Sequence, residues 1–208
     1  MTVVTDRPLR ADAARNADRI LRAAREVYAE LGPGAPMDAI ARRAGVGERT
    51  LYRRFPTKGE LARAVIDRAI AEDLAPQIDT ALRSRNPLRG IARLVEAAIA
   101  LGAREHNVLS AARQAGSLTD VSVQLDAALV ELTRRAQQDG LVRADLVADD
   151  LPRMIAMLFS VLGTMDPASD GWRRYVALMI DAISTSNPTT LPRAVPIQFT
   201  RPLHQWPI

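Results

Sequence analysis

Apolar residues recur at helical spacing along almost the whole chain, and this period is what most constrains the fold. The short stretch 37–44 illustrates it, because its apolar residues stand three and four positions apart and so share one face of a helix. They are Met37, Ile40, Ala41 and Ala44. We find no credible alternating strand of five or more residues. The period therefore predicts an all-α protein.

Glycine and proline residues divide this pattern into nine predicted helices. The first runs from about Ala13 to Leu31 and stops at a Gly-Pro-Gly turn. The ninth begins near Trp172, and the proline-rich stretch 185–208 that follows it is predicted to be an extended or disordered tail. Between the fourth helix and the ninth, the breaks fall near 84–87, 105–107, 116–120, 139–150 and 165–171.

The positive charge is concentrated in the first third of the chain. The net charge is +4, and residues 1–60 account for all of it, with twelve basic against eight acidic side chains. Between Arg42 and Lys58 there are six cations and a single anion, Glu48. Such density is typical of a surface that meets phosphate, and a solvated helix face is the alternative explanation of the charge by itself.

Several classes of function find no support in the composition. The chain has no cysteine, which excludes disulfides and thiolate metal sites, and its two histidines, His106 and His204, are too isolated for a metal cluster or a catalytic triad. The longest nearly apolar run, 154–165, is far shorter than the roughly 20 residues of a membrane span. We therefore expect a cytoplasmic protein that is not an enzyme and has no metal, no cofactor and no place in a membrane.

A short helix, a glycine-containing turn at 45–47 and a second short helix form the pattern of a helix-turn-helix, whose second helix enters the DNA major groove. This third helix of the chain is predicted over 48–55, ending before Pro56. Leu51 and Phe55 are four apart, so we expect them to pack inward on the second helix. The polar side chains that then face outward can donate hydrogen bonds to guanine edges and phosphate oxygens. They are Arg49, Thr50, Tyr52 and Arg53.

The fourth helix is predicted to start at Thr57. Thr57 and Glu60 have the spacing of a capping box, in which the Thr57 hydroxyl accepts from the Glu60 amide and the Glu60 carboxylate accepts from the Thr57 amide. Lys58 stands between them and is the only lysine, against 27 arginines. A lysine beside the free N–H groups of a helix start is suited to a phosphate contact.

Residues 37–58, with the sequence MDAIARRAGVGERTLYRRFPTK, closely resemble the DNA-binding domain of TetR-family transcriptional regulators of bacteria. The resemblance extends over about residues 13–73. It implies an all-helical homodimer in which three N-terminal helices bind an operator, while the other six form a ligand pocket and a dimer interface built mainly from the last two helices. It also implies roles at four positions. Thr50, Tyr52 and Arg53 match positions that contact DNA, and Lys58 matches one that grips a phosphate.

The domain boundaries follow from the period and the resemblance together. We expect a DNA-binding domain over 13–73, with the helix-turn-helix at about 36–55, and a ligand-binding and dimerisation domain over 74–184. Arg43 is a further candidate for DNA contact, with a solvated side chain as the alternative. Gly47 stands where the family often has a serine that caps the recognition helix, so one hydroxyl is missing there.

Two further sets of residues are assigned with the help of the resemblance. His106 and Asn107 lie at a helix break in the region of the family's effector pocket, so they are candidates for effector contact, and a surface cap is the alternative. Apolar residues of the last two helices are more numerous than one subunit can expose safely, so we assign them to the dimer interface. They are Met154, Met157, Leu158, Trp172, Tyr175 and Met179.

The sequence therefore predicts a ligand-responsive transcriptional regulator, a repressor, that binds a pseudo-palindromic operator as a homodimer. The small-molecule effector shifts the dimer between arrangements that fit the operator differently. Two alternatives stay open. One is a constitutive DNA-binding protein without an effector, and the other is a helical-bundle enzyme, for which no paired carboxylates, triad or metal-binding cluster stands out.

Overall fold

The structure, a computed structural model, describes residues 6–116, 123–166 and 169–184, with side chains from Arg15 onward. All regular structure in these residues is helical, which confirms the predicted fold class. None of these helices is both long and apolar enough to cross a membrane. The helices are α1 (Asp6–Leu31), α2 (Met37–Ala44), α3 (Glu48–Arg54), α4 (Lys58–Ala69), α5 (Ala75–Leu82), α6 (Pro87–Arg104), α7 (His106–Gln114), α8 (Val123–Gln138), α9 (Asp150–Leu162) and α10 (Trp172–Ser184).

Two features differ from the predicted helices. The helix α1 begins at Asp6 and not near Ala13, and Pro8 is compatible with this start because the first amides of a helix have no intrahelical partner. A π-helical turn, Ile70–Leu74, joins α4 to α5 without a break. Counted as one continuous helical segment, these three elements bring the described residues to the nine helices that the sequence predicts.

The turn between α2 and α3 is fixed by glycine. Gly45 has φ +63°, in the left-handed region that favours glycine. Its amide donates to the carbonyl of Arg42 and the amide of Val46 donates to that of Ala41, both at 3.1 Å. These are the two bonds of a Schellman motif, which satisfies the last carbonyls of α2 and lets the chain turn into α3.

The described residues divide into two compact units. The first comprises 6–68 and 105–116, where α2 packs against both α1 and α3, and α7 packs against α1. Its centre is wholly buried, and burial of each large aliphatic side chain contributes roughly 1.5–3 kcal/mol. The fully buried side chains include Ile20, Tyr28, Ile40, Leu51 and Leu61.

The second unit comprises 69–104, 123–166 and 169–184. Its central helix is α6, which contacts α5, α8, α9 and α10. At Gly102 the ring of Phe159 lies directly on the backbone, and a Cβ at this position would stand only 1.9 Å from the ring atom Cε1. A glycine is therefore required for α6 and α9 to pack this closely.

Candidate nucleic-acid interface

The helix α3 presents one apolar and one polar face, as predicted. Leu51 is wholly buried and Phe55 is 9% exposed, so both point into the first unit. The Phe55 amide donates to the Leu51 carbonyl at 2.8 Å and ends the helix before Pro56. On the other face Tyr52 is 47% exposed. Arg49 and Arg53 are exposed with it, and Thr50 is half-buried at the edge of the same face.

The arginines of α3 have no partners in the described part of the chain. Arg49, Arg53 and Arg54 are exposed, and none of them makes a hydrogen bond or ion pair with any described residue. On α2, by contrast, the exposed Arg42 pairs with Asp38 at 2.7 Å. The guanidinium groups of these three arginines thus have donors that no described residue occupies, and those of Arg49 and Arg53 on the outer face are available for phosphate oxygens or base edges.

The structure gives Arg43 a different environment. Its Nη1 donates to Glu26 at 3.0 Å and to Glu30 at 2.9 Å, and its Nη2 donates to Glu30 at 2.6 Å. The hydrogen bond from Arg43 lowers the pKa of Glu30, and the bonds to Glu30 and Glu26 raise the pKa of Arg43. Arg43 therefore joins α2 to α1, and two carboxylates compete with any phosphate for its guanidinium. Sequence reasoning missed these partners.

Lys58 lies half-buried at the start of α4. Its Nζ stands 5.9 Å from the centroid of the Tyr28 ring, within the range of a cation–π contact. Burial lowers the pKa of Lys58. The Thr57 hydroxyl accepts from the Glu60 amide at 3.1 Å, which is the first bond of the predicted capping box. The start of α4 therefore holds a lysine whose direction is set by an aromatic ring of α1.

The predicted effector contacts lie at the start of α7. His106 is exposed and Asn107 is half-buried. Directly before them Glu105 is only 2% exposed, and it accepts from Arg25 Nε at 2.8 Å and from Nη2 at 2.5 Å. This part-buried pair, in which the Arg25 side chain is 35% exposed, joins the start of α7 to α1. Sequence patterns could not reveal this pair, because the two residues stand 80 positions apart.

The predicted interface residues fall into two groups in the single chain. Met157 is 63% exposed, Tyr175 is 41% exposed and Met154 is half-buried. The other three are buried in the core of the second unit: Leu158, Trp172 and Met179. Sequence reasoning missed Leu178, which is 52% exposed on α10. The exposed set is therefore Met157, Tyr175 and Leu178, and its role in a dimer stays a prediction.

Comparisons with known proteins agree with this geometry. Residues 20–65, which include α2, the glycine turn and α3, match the family described as bacterial regulatory proteins, tetR family. Among solved structures, the chain is similar to the TetR transcription regulatory protein from Mycobacterium vanbaalenii, with 32% identity, a TM-score of 0.57 and coverage of 86% of this chain and 100% of that one. A comparison with curated proteins gave no match.

Two further structures are similar along most of their length. A TetR transcriptional regulator from Streptomyces coelicolor is 27% identical, with a TM-score of 0.57 and coverage of 82% of this chain and 99% of that one. The regulator FadR from Bacillus subtilis, solved in complex with stearoyl-CoA, shares the fold at 16% identity, with a TM-score of 0.64 over 80% of this chain and 97% of that one. Helix-turn-helix, overall fold and identity thus agree, and the chain belongs to the TetR family of DNA-binding transcriptional regulators.

Proposed function

We propose that this regulator is a ligand-responsive repressor that binds a pseudo-palindromic operator as a homodimer. The observation that carries the proposal is the outer face of α3, where Arg49 and Arg53 are exposed beside Tyr52 and pair with no residue of the described ranges. Folding of the first unit makes no use of these groups, because Leu51 and Phe55 already anchor the helix. A helix that offers unpaired guanidinium groups at this density is suited to the major groove.

Each polar side chain has a distinct role in this proposal. Arg49 and Arg53 donate to guanine edges or to the phosphates beside them, and the Thr50 methyl is available to a thymine. The Tyr52 hydroxyl bonds a phosphate, which positions the helix without reading sequence. Lys58 supplies a point charge to a second phosphate. Arg43 is a positioning residue, since its bonds to Glu26 and Glu30 hold α2 on α1.

The symmetry of the operator follows from that of the dimer. Two copies related by a two-fold axis place two α3 helices on one side of the duplex, so the operator repeats in inverted orientation. The half-sites then lie about one helical turn apart, roughly 34–36 Å between centres.

The response to a ligand is a matter of linkage. A small molecule that prefers one arrangement of the dimer shifts the population toward it, and the operator then weakens ligand binding by the same factor. The stearoyl-CoA complex of the Bacillus subtilis regulator supports this proposal, because that protein has the same fold and binds a small molecule.

Selection of bound sequences from a random DNA pool, at about 150 mM salt so that non-specific binding is weak, tests the DNA part of the proposal. We expect a winning sequence with two-fold symmetry, bound by one dimer or a whole number of dimers. Absence of enrichment, or a winner without symmetry, contradicts the proposal.

Two substitutions separate base reading from phosphate contact. Arg49→Ala is expected to relax base preference, whereas Lys58→Ala weakens binding to all sequences about equally and makes the log–log salt dependence shallower by about one phosphate per subunit. Arg93→Ala is the control, because Arg93 is exposed on α6 without a bond to any described residue. Equal losses with unchanged preference in the two test variants contradict this division of roles.

A further inference from the structure

One side of α7 carries a row of polar side chains that pair with no other residue in the described ranges. Asn107, Ser110 and Arg113 follow one another at intervals of three residues, so they are neighbours along the helix surface. All three are half-buried, and none of these side chains bonds to any described residue. We call them the α7 polar row.

Arg113 is the most costly member of the row. Its Nε atom is shielded from solvent and has no hydrogen-bond partner among the residues that the structure describes. A guanidinium nitrogen that has lost water without gaining a partner raises the free energy of the folded state. Because the residue as a whole is only half-buried, the far end of its guanidinium remains within reach of a ligand.

The other groups of α7 that the fold buries have packing or hydrogen-bond partners. The opposite side of α7 is apolar, with Val108, Ala111 and Ala112 buried in the first unit. The carboxylate before the helix, Glu105, is bonded to Arg25. Arg113, the arginine of α7, thus has no counter-ion in the described part of the chain. The hydrogen-bond donors of the α7 polar row all lie on the side of the helix opposite its buried residues.

We propose that the α7 polar row binds the carboxylate group of the effector, an inference that rests on the proposed ligand response. The two Nη atoms of a guanidinium form a planar fork that matches both oxygens of a carboxylate. The Ser110 hydroxyl and the Asn107 amide add further donors. A bound carboxylate also supplies a counter-charge to this guanidinium.

The site has a direct connection to the DNA-binding helices. The helix α7 is bonded to α1 through Arg25 and Glu105, and α1 carries Glu26 and Glu30, which hold Arg43 of α2. A ligand that repositions α7 therefore acts on the helix that supports the helix-turn-helix.

The test uses octanoate as the probe, because the chain is only 4% aromatic and an aliphatic body suits it better than a flat ring. Binding to the full chain is measured by isothermal titration calorimetry, with octanol as the uncharged analogue and octyl phosphate as the alternative oxyanion. We expect octanoate to bind more tightly than either. Arg113→Gln is expected to weaken octanoate at least about tenfold and to leave octanol unchanged.

Two more variants sharpen the result. Arg113→Lys keeps the charge but loses the fork, so its affinity for octanoate should fall between those of the wild type and Arg113→Gln. Arg93→Gln removes an exposed, unpaired arginine of α6 and should bind octanoate as the wild type does. The thermal midpoint of each variant is measured alongside, and Arg113→Gln should not lower it, since it removes an unpaired charge.

The inference is overturned if the wild type does not bind octanoate, if Arg113→Gln binds it equally well, or if octanol loses as much affinity as octanoate. Tighter binding of octyl phosphate also overturns it, in favour of a phosphate site. The operator selection needs no effector, so its success beside any of these results leaves the DNA-binding proposal standing. If the operator selection fails while octanoate binds tightly and this binding depends on Arg113, the carboxylate site stands and the proposal of operator binding is contradicted.

Discussion

Tyr28 combines a fully buried side chain with a hydroxyl group that no described residue bonds. The ring is useful, because it fills the core and offers its face to Lys58 at 5.9 Å. The hydroxyl contributes only the cost of its lost hydration.

This cost has a consequence at high pH. Burial raises the pKa of Tyr28 from 10 to about 12. Between these values the unfolded chain has lost the phenolic proton while the folded chain keeps it, so the free energy of unfolding falls as pH rises. The full window amounts to about 3 kcal/mol. We expect Tyr28→Phe to lose less stability than the wild type in urea unfolding across this range, and to be at least as stable near neutral pH.

Tyr52→Phe is the control for this measurement, because Tyr52 is 47% exposed and lies outside the proposed dimer interface. It should show the same fall in stability above pH 10 as the wild type does. If Tyr28→Phe and the wild type lose stability in parallel, the buried phenol does not carry the effect.

At the scale of elements, the glycine turn between α2 and α3 provides a matched pair. A Cβ at either Gly45 or Gly47 would meet no atom within 4 Å, so space does not distinguish them. Only Gly45 has a positive φ, whereas Gly47 is extended with φ −68° and precedes the first residue of α3. We expect Gly45→Ala to lower the free energy of unfolding by about 1 kcal/mol, and Gly47→Ser to raise it by a few tenths.

Urea unfolding of both variants measures this difference. Equal effects would mean that backbone conformation is not what requires glycine at position 45. DNA binding is a useful second readout, because Gly47→Ser also restores the hydroxyl that the family often has at this position.

The pair between α1 and α7 is expected to matter more than an exposed one. Glu105→Gln leaves the Arg25 guanidinium facing a neutral amide in a buried site, so we expect a loss of about 2 kcal/mol in the free energy of unfolding. Asp67→Asn removes an exposed partner of Arg63 one turn away on α4, and should cost less than about 0.5 kcal/mol. Thermal unfolding of the two variants measures both losses of stability. If both losses are small and similar, burial of Glu105 adds nothing to the strength of its pair with Arg25.

Helix boundaries could be predicted because their signals are local. Gly45, Pro56 and Thr57 each lie within a turn of the boundary they set. The π-helical turn Ile70–Leu74 could not be predicted, since it keeps the apolar pattern of a helix and adds no breaker. The start of α1 at Asp6 was missed for a similar reason, as proline in a first turn signals equally a helix start or a loop.

The outward face of α3 could be predicted as well, because the orientation of Arg49 and Tyr52 follows once Leu51 is assigned inward. The partners of Arg43 could not, since Glu26 and Glu30 stand 17 and 13 residues away and meet it only after α1 and α2 have packed. Spacing within one helix carries no information about such contacts.

At the scale of the whole molecule, the two last helices show a second limit of sequence patterns. Trp172 and Tyr175 are both apolar and three residues apart, yet one is 3% exposed and the other 41%. A stripe that faces its own core and one that faces a second copy require the same hydropathy. Only the packing of the single chain separates them, and it leaves Met157, Tyr175 and Leu178 as the large apolar side chains that α9 and α10 expose.

These exposed residues give the test of the dimer. Leu178 on α10 and Val130 on α8 are equally exposed, at 52%, so a charge at either costs the single chain little. If α10 forms the interface, Leu178→Glu buries an unpaired charge between subunits and should weaken the dimer at least about tenfold in sedimentation equilibrium, whereas Val130→Glu should not. Because a pseudo-palindromic operator needs two α3 helices at once, Leu178→Glu should also weaken operator binding at low protein concentration, with affinity recovering as concentration rises. Dissociation by Val130→Glu alone would move the interface to α8.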